Sequence, residues 1–159
     1  MTDLSNVPAG KAVTTKTMFS RETAVRIPIH ADPAIIWSLL TNAADYSRWN
    51  STIISLEGEI KPGGTLKLKS TLDEKRTFNL KVKEMEPTRR LVWGDSQGSR
   101  EYTLSQGQGD DAVIFTMREK IGGLFFPLFA RFIPSFDESF EQFAADLKQE
   151  AEAIQNDQS

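Results

Sequence analysis

Six short segments between residues 52 and 120 alternate apolar and polar side chains, and this pattern constrains the fold of the 159-residue chain most strongly. The segment TLKLKSTL, residues 65–72, is typical: Leu66, Leu68 and Ser70 share one side, and lysines occupy the other. Turn sequences such as KPGG, EPTR and GQGDD separate the segments. The pattern predicts an antiparallel sheet with one apolar face and one solvated face.

The apolar face of such a sheet must be covered, and the end of the chain supplies the element that can cover it. Phe136, Phe140 and Phe143 recur at helical spacing, and polar residues fall between them. Ser135 and Glu138 have the spacing of a capping box, which predicts that the helix begins at Phe136. We therefore expect a long amphipathic helix packed on the sheet.

Residues 18–29 also alternate and predict a strand that precedes the six segments. Two short helices should follow it. Asp32 is a good N-cap and Pro33 suits the first helical position, and a second short helix is predicted over residues 43–49. The predicted element order is one strand, two short helices, about six strands and one long helix.

Composition excludes several classes of protein. The net charge of −3 argues against a nucleic-acid partner, because phosphate neutralisation requires clustered lysine and arginine. Cysteine is absent and His30 is the single histidine, so we expect no metal site and no cofactor. No run of 18 apolar residues occurs, which argues against a transmembrane segment. We expect a cytoplasmic monomer or dimer.

The first residues differ in composition from the rest of the chain. Residues 1–16 are rich in Ser, Thr, Asn, Pro and Gly and contain no long apolar run. Such a sequence is typical of a disordered tail rather than of a secretory signal. The prediction is a disordered tail over residues 1–16 and a single domain over residues 17–155.

Several stretches, taken in order, resemble the START-like (SRPBCC) superfamily, which includes polyketide cyclases/dehydrases and lipid-transfer domains. GEIKPGGTLKLKS is similar to its Gly-rich hairpin, and VKEMEPTRRLVWG is similar to one of its strand pairs. A Gly-Gly-initiated, Phe-rich stretch leads into the terminal helix, as in that superfamily. The stretch ADPAIIWSLLTNAADYSRWN is similar to a further motif, carried here by Pro33, Ile36, Trp37, Tyr46, Trp49 and Asn50.

This resemblance runs from about Arg21 to Glu152. It implies an α+β, helix-grip fold: a six- to seven-stranded antiparallel sheet wrapped around a long C-terminal helix, with two short helices after the first strand. It also implies a pocket between the sheet and the terminal helix, near the two short helices. Combined with strand parity, the resemblance predicts that the pocket is lined by Trp37, Trp49, Leu68, Ser70, Phe78, Leu80, Trp93, Tyr102, Phe115, Met117, Phe136, Phe140 and Phe143.

Catalytic residues cannot be assigned from spacing, because the sequence shows no nucleophile–base pair, phosphate loop or metal-ligand set. Asp95 and Glu119 share parity with apolar positions of their strands and are the candidate acids or bases. A single bulge would turn either side chain to solvent. Two roles are possible for Trp37 and Trp49: their rings stack on a flat ligand, or they pack the short helices against the sheet.

Seven of the ten phenylalanines lie between residues 124 and 143. Four of them, Phe125, Phe126, Phe129 and Phe132, precede the helix, and we expect an apolar lip at the pocket entrance.

The preferred function is binding of a small hydrophobic molecule, such as a lipid, polyketide or aromatic compound, in the internal cavity. A polyketide cyclase/dehydrase-type enzyme is the first alternative. The second is a module that contacts a protein or a membrane surface through the Phe-rich lip.

Overall fold

The computed structural model describes residues 1–107 and 111–158, and within them eight strands form one antiparallel sheet. Most of the predicted GQGDD turn, residues 108–110, lies outside the described residues. The order across the sheet is β1-β2-β8-β7-β6-β5-β4-β3, so the last strand returns to pair with β2. The strands are β1 Val13–Lys16, β2 Ser20–Ile29, β3 Ile53–Gly58, β4 Thr65–Ser70, β5 Asp73–Glu86, β6 Arg90–Gly94, β7 Gly98–Gln106 and β8 Val113–Gly122.

Four α-helices accompany the sheet in the described residues: α1 Pro33–Thr41, α2 Tyr46–Trp49, α3 Phe126–Phe129 and α4 Asp137–Gln158. Short 3-10 turns precede α2 and follow α3. The long helix α4 packs on the sheet, so the α+β helix-grip fold predicted from the sequence is confirmed. Among the described residues, no helix combines the length and apolarity needed to cross a membrane.

The N-terminal segment differs from the predicted disordered tail, and it raises the strand number from the expected six or seven to eight. Residues 13–16 pair with β2 as strand β1. The Thr2 backbone amide donates to the Glu22 carboxylate at 2.6 Å, and Leu4 is only 4% exposed. Without β1, the edge of β2 would present unpaired backbone groups. Strand β1 pairs with these groups through main-chain hydrogen bonds, which the polar composition of the segment does not reveal.

Local sequence explains where the other elements begin. The Asp32 side chain accepts a hydrogen bond from the Ala34 amide at 2.8 Å and caps α1. In β4, Leu66, Leu68 and Ser70 are buried and alternate with exposed residues, as the sequence pattern predicts. Helix α4 begins at Asp137, one residue after the predicted start.

An aromatic cluster fills the interior where α2 and α4 meet the sheet. The Phe143 ring on α4 stacks on Tyr102 of β7 and Phe115 of β8, with centroid distances of 5.5 and 6.3 Å. Tyr46 and Trp49 of α2 contact the same ring at 6.2 and 5.9 Å. This part of the interior is therefore packed, and the open space lies farther along the sheet.

A candidate ligand cavity

A cavity of about 220 Å³ lies between strands β4 to β8 and the segment that leads into α4. Apolar side chains make up most of its wall. Phe132 lines the cavity and is 71% exposed, so the cavity reaches the surface beside this ring. An apolar recess with a few polar groups is the usual form of a small-molecule site.

The structure brings part of the predicted pocket together. Six of the predicted wall residues line the cavity: Leu68, Ser70, Phe78, Leu80, Trp93 and Phe136. The candidate acids Asp95 and Glu119 line it as well, and so does Phe132 of the predicted lip. These residues come from β4, β5, β6 and β8, from the turn after β6 and from the chain before α4.

The remaining predicted wall residues lie elsewhere. Trp37 packs half-buried on α1 against the core. The other residues are buried in the core and do not line the cavity: Trp49, Tyr102, Phe115, Met117, Phe140 and Phe143. The cavity also does not lie near the two short helices, because the rings of Tyr46 and Trp49 fill that space. Wedging of the helices onto the sheet is thus the role that the geometry gives Trp49.

The polar feature of the cavity is an ion pair between Arg100 and Glu119, which lie opposite each other on β7 and β8. Arg100 Nε donates to Glu119 Oε1 at 2.7 Å, and the two side chains are 10% and 18% exposed. Arg100 Nη1 also approaches the Tyr102 hydroxyl at 3.4 Å. The guanidinium lies over the Phe140 ring, 5.2 Å from its centroid. A charged pair is thus held against aromatic rings at one side of the cavity.

Burial and the ion pair shift the pKa values of this group. Burial by itself would lower the pKa of Arg100, but the interactions with Glu119 and Tyr102 together outweigh burial and hold the pKa above its ordinary value. Burial raises the pKa of Tyr102 to about 12. Burial also raises the pKa of Tyr46, whose hydroxyl donates to the Leu40 carbonyl at 2.7 Å. Arg100 is therefore charged and both phenols are neutral at physiological pH.

Both tyrosines of the chain should resist ionisation in the folded state. The pKa of tyrosine in the unfolded chain is near 10. The contribution of neutral Tyr102 to the free energy of unfolding is therefore fully present below about pH 10 and is lost as the pH rises toward 12. We expect tyrosinate absorbance to appear together with the loss of the circular-dichroism signal. An absorbance change near pH 10 with the circular dichroism unchanged would contradict the buried positions.

Asp95 has a structural role at the turn between β6 and β7. Its Oδ1 accepts hydrogen bonds from the amides of Gln97 and Gly98, at 2.8 and 3.0 Å. A carboxylate that satisfies two turn amides is held in place by the backbone. Glu119 is therefore the better placed of the two candidate acids, although it is engaged by Arg100.

Arg21 on β2 holds the cavity wall that precedes α4, and sequence reasoning missed it. Its guanidinium donates to the carbonyls of Ile133 and Pro134, at 3.3 and 2.8 Å. It also lies 4.7 Å from the centre of the Phe136 ring. Burial lowers the pKa of Arg21, and the charges of nearby acids partly offset this effect.

Arg100 was also missed, although strand parity contains the signal. Arg100, Tyr102 and Leu104 alternate along β7, and all three are buried. Parity places a residue on the inner face whatever its charge, but a charged side chain is normally assigned to solvent. Other lining residues missed by sequence reasoning lie in the first, turn-proximal part of β5 or in loops: Asp73, Arg76, Gln97, Ile133 and Pro134.

The predicted lip is only partly exposed. Phe125 and Phe132 are 66% and 71% exposed, whereas Phe126 is buried at 4% and Phe129 is half-buried. The Phe126 and Phe129 rings contact each other edge to face at 5.8 Å. Phe126 and Phe129 thus anchor α3, and the exposed apolar surface is completed by Leu124 and Leu128, at 76% and 73% exposed. We call this surface of Leu124, Phe125, Leu128 and Phe132 the apolar lip.

An antiparallel sheet wrapped around a C-terminal helix, with a cavity between the sheet and the segment that leads into the helix, defines a START-like protein. Residues 30–152 match the family described as Activator of Hsp90 ATPase homolog 1-like protein. The match covers well over half of the chain, so the chain belongs to this family. No curated protein matches the chain.

Solved structures share the fold at low sequence identity. A conserved protein of unknown function from Enterococcus faecalis is 15% identical, with a TM-score of 0.62 over 87% of this chain and 75% of that one. A START superfamily protein from Mycobacterium smegmatis is 14% identical, with a TM-score of 0.60 over 84% and 98%.

DynU16, a protein in the dynemicin biosynthetic locus, is 17% identical, with a TM-score of 0.61 over 84% of this chain. The chain spans about half of DynU16, 48% of its length. At such identities these similarities show the fold alone.

Proposed function

We propose that this protein binds a small hydrophobic molecule in the cavity between the sheet and the approach to α4. The observation that carries the proposal is the cavity itself: about 220 Å³ with a mainly apolar wall that opens beside Phe132. Burial of apolar ligand surface at about 25 cal/mol per Å² would supply most of the affinity. The Arg100–Glu119 pair offers donors and an acceptor that would orient the ligand. A cytoplasmic monomer or dimer remains part of this proposal.

The rings in the cavity wall support a ligand with flat apolar surface. Three rings line the cavity: Phe78 from β5, Trp93 from β6 and Phe136 from the residue before α4. Aromatic pairs gain roughly 0.5–1.5 kcal/mol beyond the area they bury. An aromatic or conjugated ligand would therefore use this wall better than a saturated one of the same size.

Filling the cavity tests the proposal. Leu80→Trp places an indole in the space that the ligand needs, and we expect the affinity for 2-naphthamide, an uncharged two-ring probe, to fall roughly tenfold or more in calorimetric titration. Ile54→Trp is the matched control, because Ile54 on β3 is 40% exposed and does not line the cavity. Equal binding by both variants and the wild type would mean that the probe binds outside the cavity.

Polyketide cyclase/dehydrase-type catalysis is a second candidate function, and one observation favours it. Arg100 and Glu119 line a largely apolar cavity, and behind its wall Arg100 also contacts the buried Tyr102 hydroxyl. Such a group could orient a reactive carbonyl and move a proton. Catalysis would require Glu119 to leave its pairing with Arg100, whereas ligand binding does not. Ligand binding is therefore the preferred function.

The exposed apolar lip favours contact with a membrane or a protein as a further candidate. Leu124 and Leu128 are each more than 70% exposed, and they precede Phe132, which lines the cavity. Leu124→Ser and Leu128→Ser together should abolish flotation of the protein with phosphatidylcholine vesicles if the lip inserts between lipids. Ile54→Ser, which removes an exposed apolar residue on β3, should leave flotation unchanged. Flotation that persists in the lip variant would exclude this role.

A further inference from the structure

The charged residues of the cavity wall indicate which ligands the cavity would accept. Five charged side chains line it, three carboxylates and two guanidinium groups: Asp73, Asp95, Glu119, Arg76 and Arg100. Their formal sum is −1, obtained as two positive charges minus three negative charges. The wall thus carries no surplus of positive charge with which to neutralise an acidic ligand.

The two lining arginines have different surroundings. Arg100 is buried and already paired with Glu119 at 2.7 Å. Arg76 is exposed and packs over the Phe78 ring at 4.4 Å, so water screens its charge. Behind the wall, Arg21 is occupied by two backbone carbonyls, and its charge is balanced by Glu119 and Asp137.

Size restricts the ligand further. An engineered apolar cavity of roughly 150 Å³ binds benzene, and drug-sized pockets begin near about 300 Å³. The present cavity, at about 220 Å³, lies between these values. Its volume suits one or two rings and is too small for the acyl chains of a membrane lipid.

We propose that the cavity selects an uncharged one- or two-ring compound that carries a carbonyl or hydroxyl group, and that it discriminates against carboxylates. This inference rests on the proposed ligand-binding function and narrows it. A carbonyl oxygen can accept from the Arg100 guanidinium, and a hydroxyl can donate to Glu119, without disrupting the ion pair. A carboxylate would lose its hydration beside Glu119 or would have to displace Glu119 from Arg100, and both events are costly.

Two probes of nearly identical shape test the charge preference in the wild-type protein. 2-Naphthamide is neutral at pH 7, whereas 2-naphthoate is ionised, since carboxyl groups titrate near pH 4. We expect calorimetric titration to show roughly tenfold or greater preference for the amide, because uncompensated burial of a charge is expensive. This comparison needs no variant and does not depend on how a substitution affects folding.

Glu119→Gln should weaken or remove the preference. The substitution keeps the size of the side chain and an oxygen acceptor for Arg100, but it leaves the guanidinium charge unbalanced at the cavity. We expect 2-naphthoate affinity to rise at least about tenfold over the wild type. Glu101→Gln is the matched control: it removes the same charge from the opposite face of β7, where Glu101 pairs with Arg90.

The outcomes separate this inference from the proposed function. Equal or tighter binding of 2-naphthoate by the wild-type protein would overturn the charge preference and leave ligand binding intact. A naphthoate affinity that rises equally in Glu101→Gln would also overturn it, because the effect would then come from net charge alone. Failure of the wild-type protein to bind either probe would overturn both the inference and the proposed function.

Discussion

Phe143→Ala is expected to lower the free energy of unfolding by about 3–5 kcal/mol, since it removes a fully buried ring and leaves a void. Phe143 is 1% exposed and lies at the centre of the aromatic cluster. Its ring stacks on Tyr102 and Phe115 and meets Trp49 edge to face. The variant therefore loses contacts to the sheet and to α2 at once.

Urea unfolding followed by circular dichroism measures this loss. Phe125→Ala is the matched control, because the same substitution at a ring that is 66% exposed should change stability by no more than about 0.5 kcal/mol. If the two variants were equally stable, the aromatic cluster would not be the centre of the core. A smaller decrease in the free energy of unfolding, with an unchanged slope of that free energy against urea concentration, would indicate that the surrounding rings collapse into the void.

The fold was predictable because its signals are local and repeat along the chain. The alternation in β4 fixed which face is buried, and the Asp32 cap fixed the start of α1. The Phe136, Phe140 and Phe143 stripe identified the helix that covers the sheet. Strand β1 was not predictable in this way, because it is held by backbone hydrogen bonds to β2 and three of its four side chains are polar.

The cavity was less predictable than the fold, because its location depends on how side chains fill space. Strand parity places both Tyr102 and Trp93 inward, and both are buried. Only Trp93 lines the cavity, because Phe143 covers Tyr102. Parity specifies the face of the sheet, but the packing of α2 and α4 decides which part of that face stays open.

The polar side of the cavity shows a second limit of sequence reasoning. Glu119 was a candidate because it shares strand parity with Phe115 and Met117, but its role depends on the residue opposite it on β7. That residue, Arg100, is brought opposite Glu119 by the register of β7 and β8. Register between strands is set by the whole sheet, so no local pattern predicts the pair.

Arg100→Leu is expected to destabilise the protein by about 3–5 kcal/mol, because it leaves the Glu119 carboxylate unpaired in a mostly buried site. Arg90→Leu is the matched control. Arg90 pairs with Glu101 on the other face of the sheet, and its side chain is 35% exposed. Loss of such a pair should cost no more than about 1 kcal/mol.

A double substitution separates the cost of the unpaired charge from the value of the pair. Arg100→Leu combined with Glu119→Leu removes both charges and should recover most of the lost stability, since apolar replacements of buried pairs are often neutral. Urea unfolding of the wild type, both single variants and the double variant completes the cycle. If the double variant is no more stable than Arg100→Leu, the loss comes from packing of the arginine on Phe140 and not from its charge. Recovery would show that the ion pair adds little net stability, and its place at the cavity would then be explained by ligand recognition.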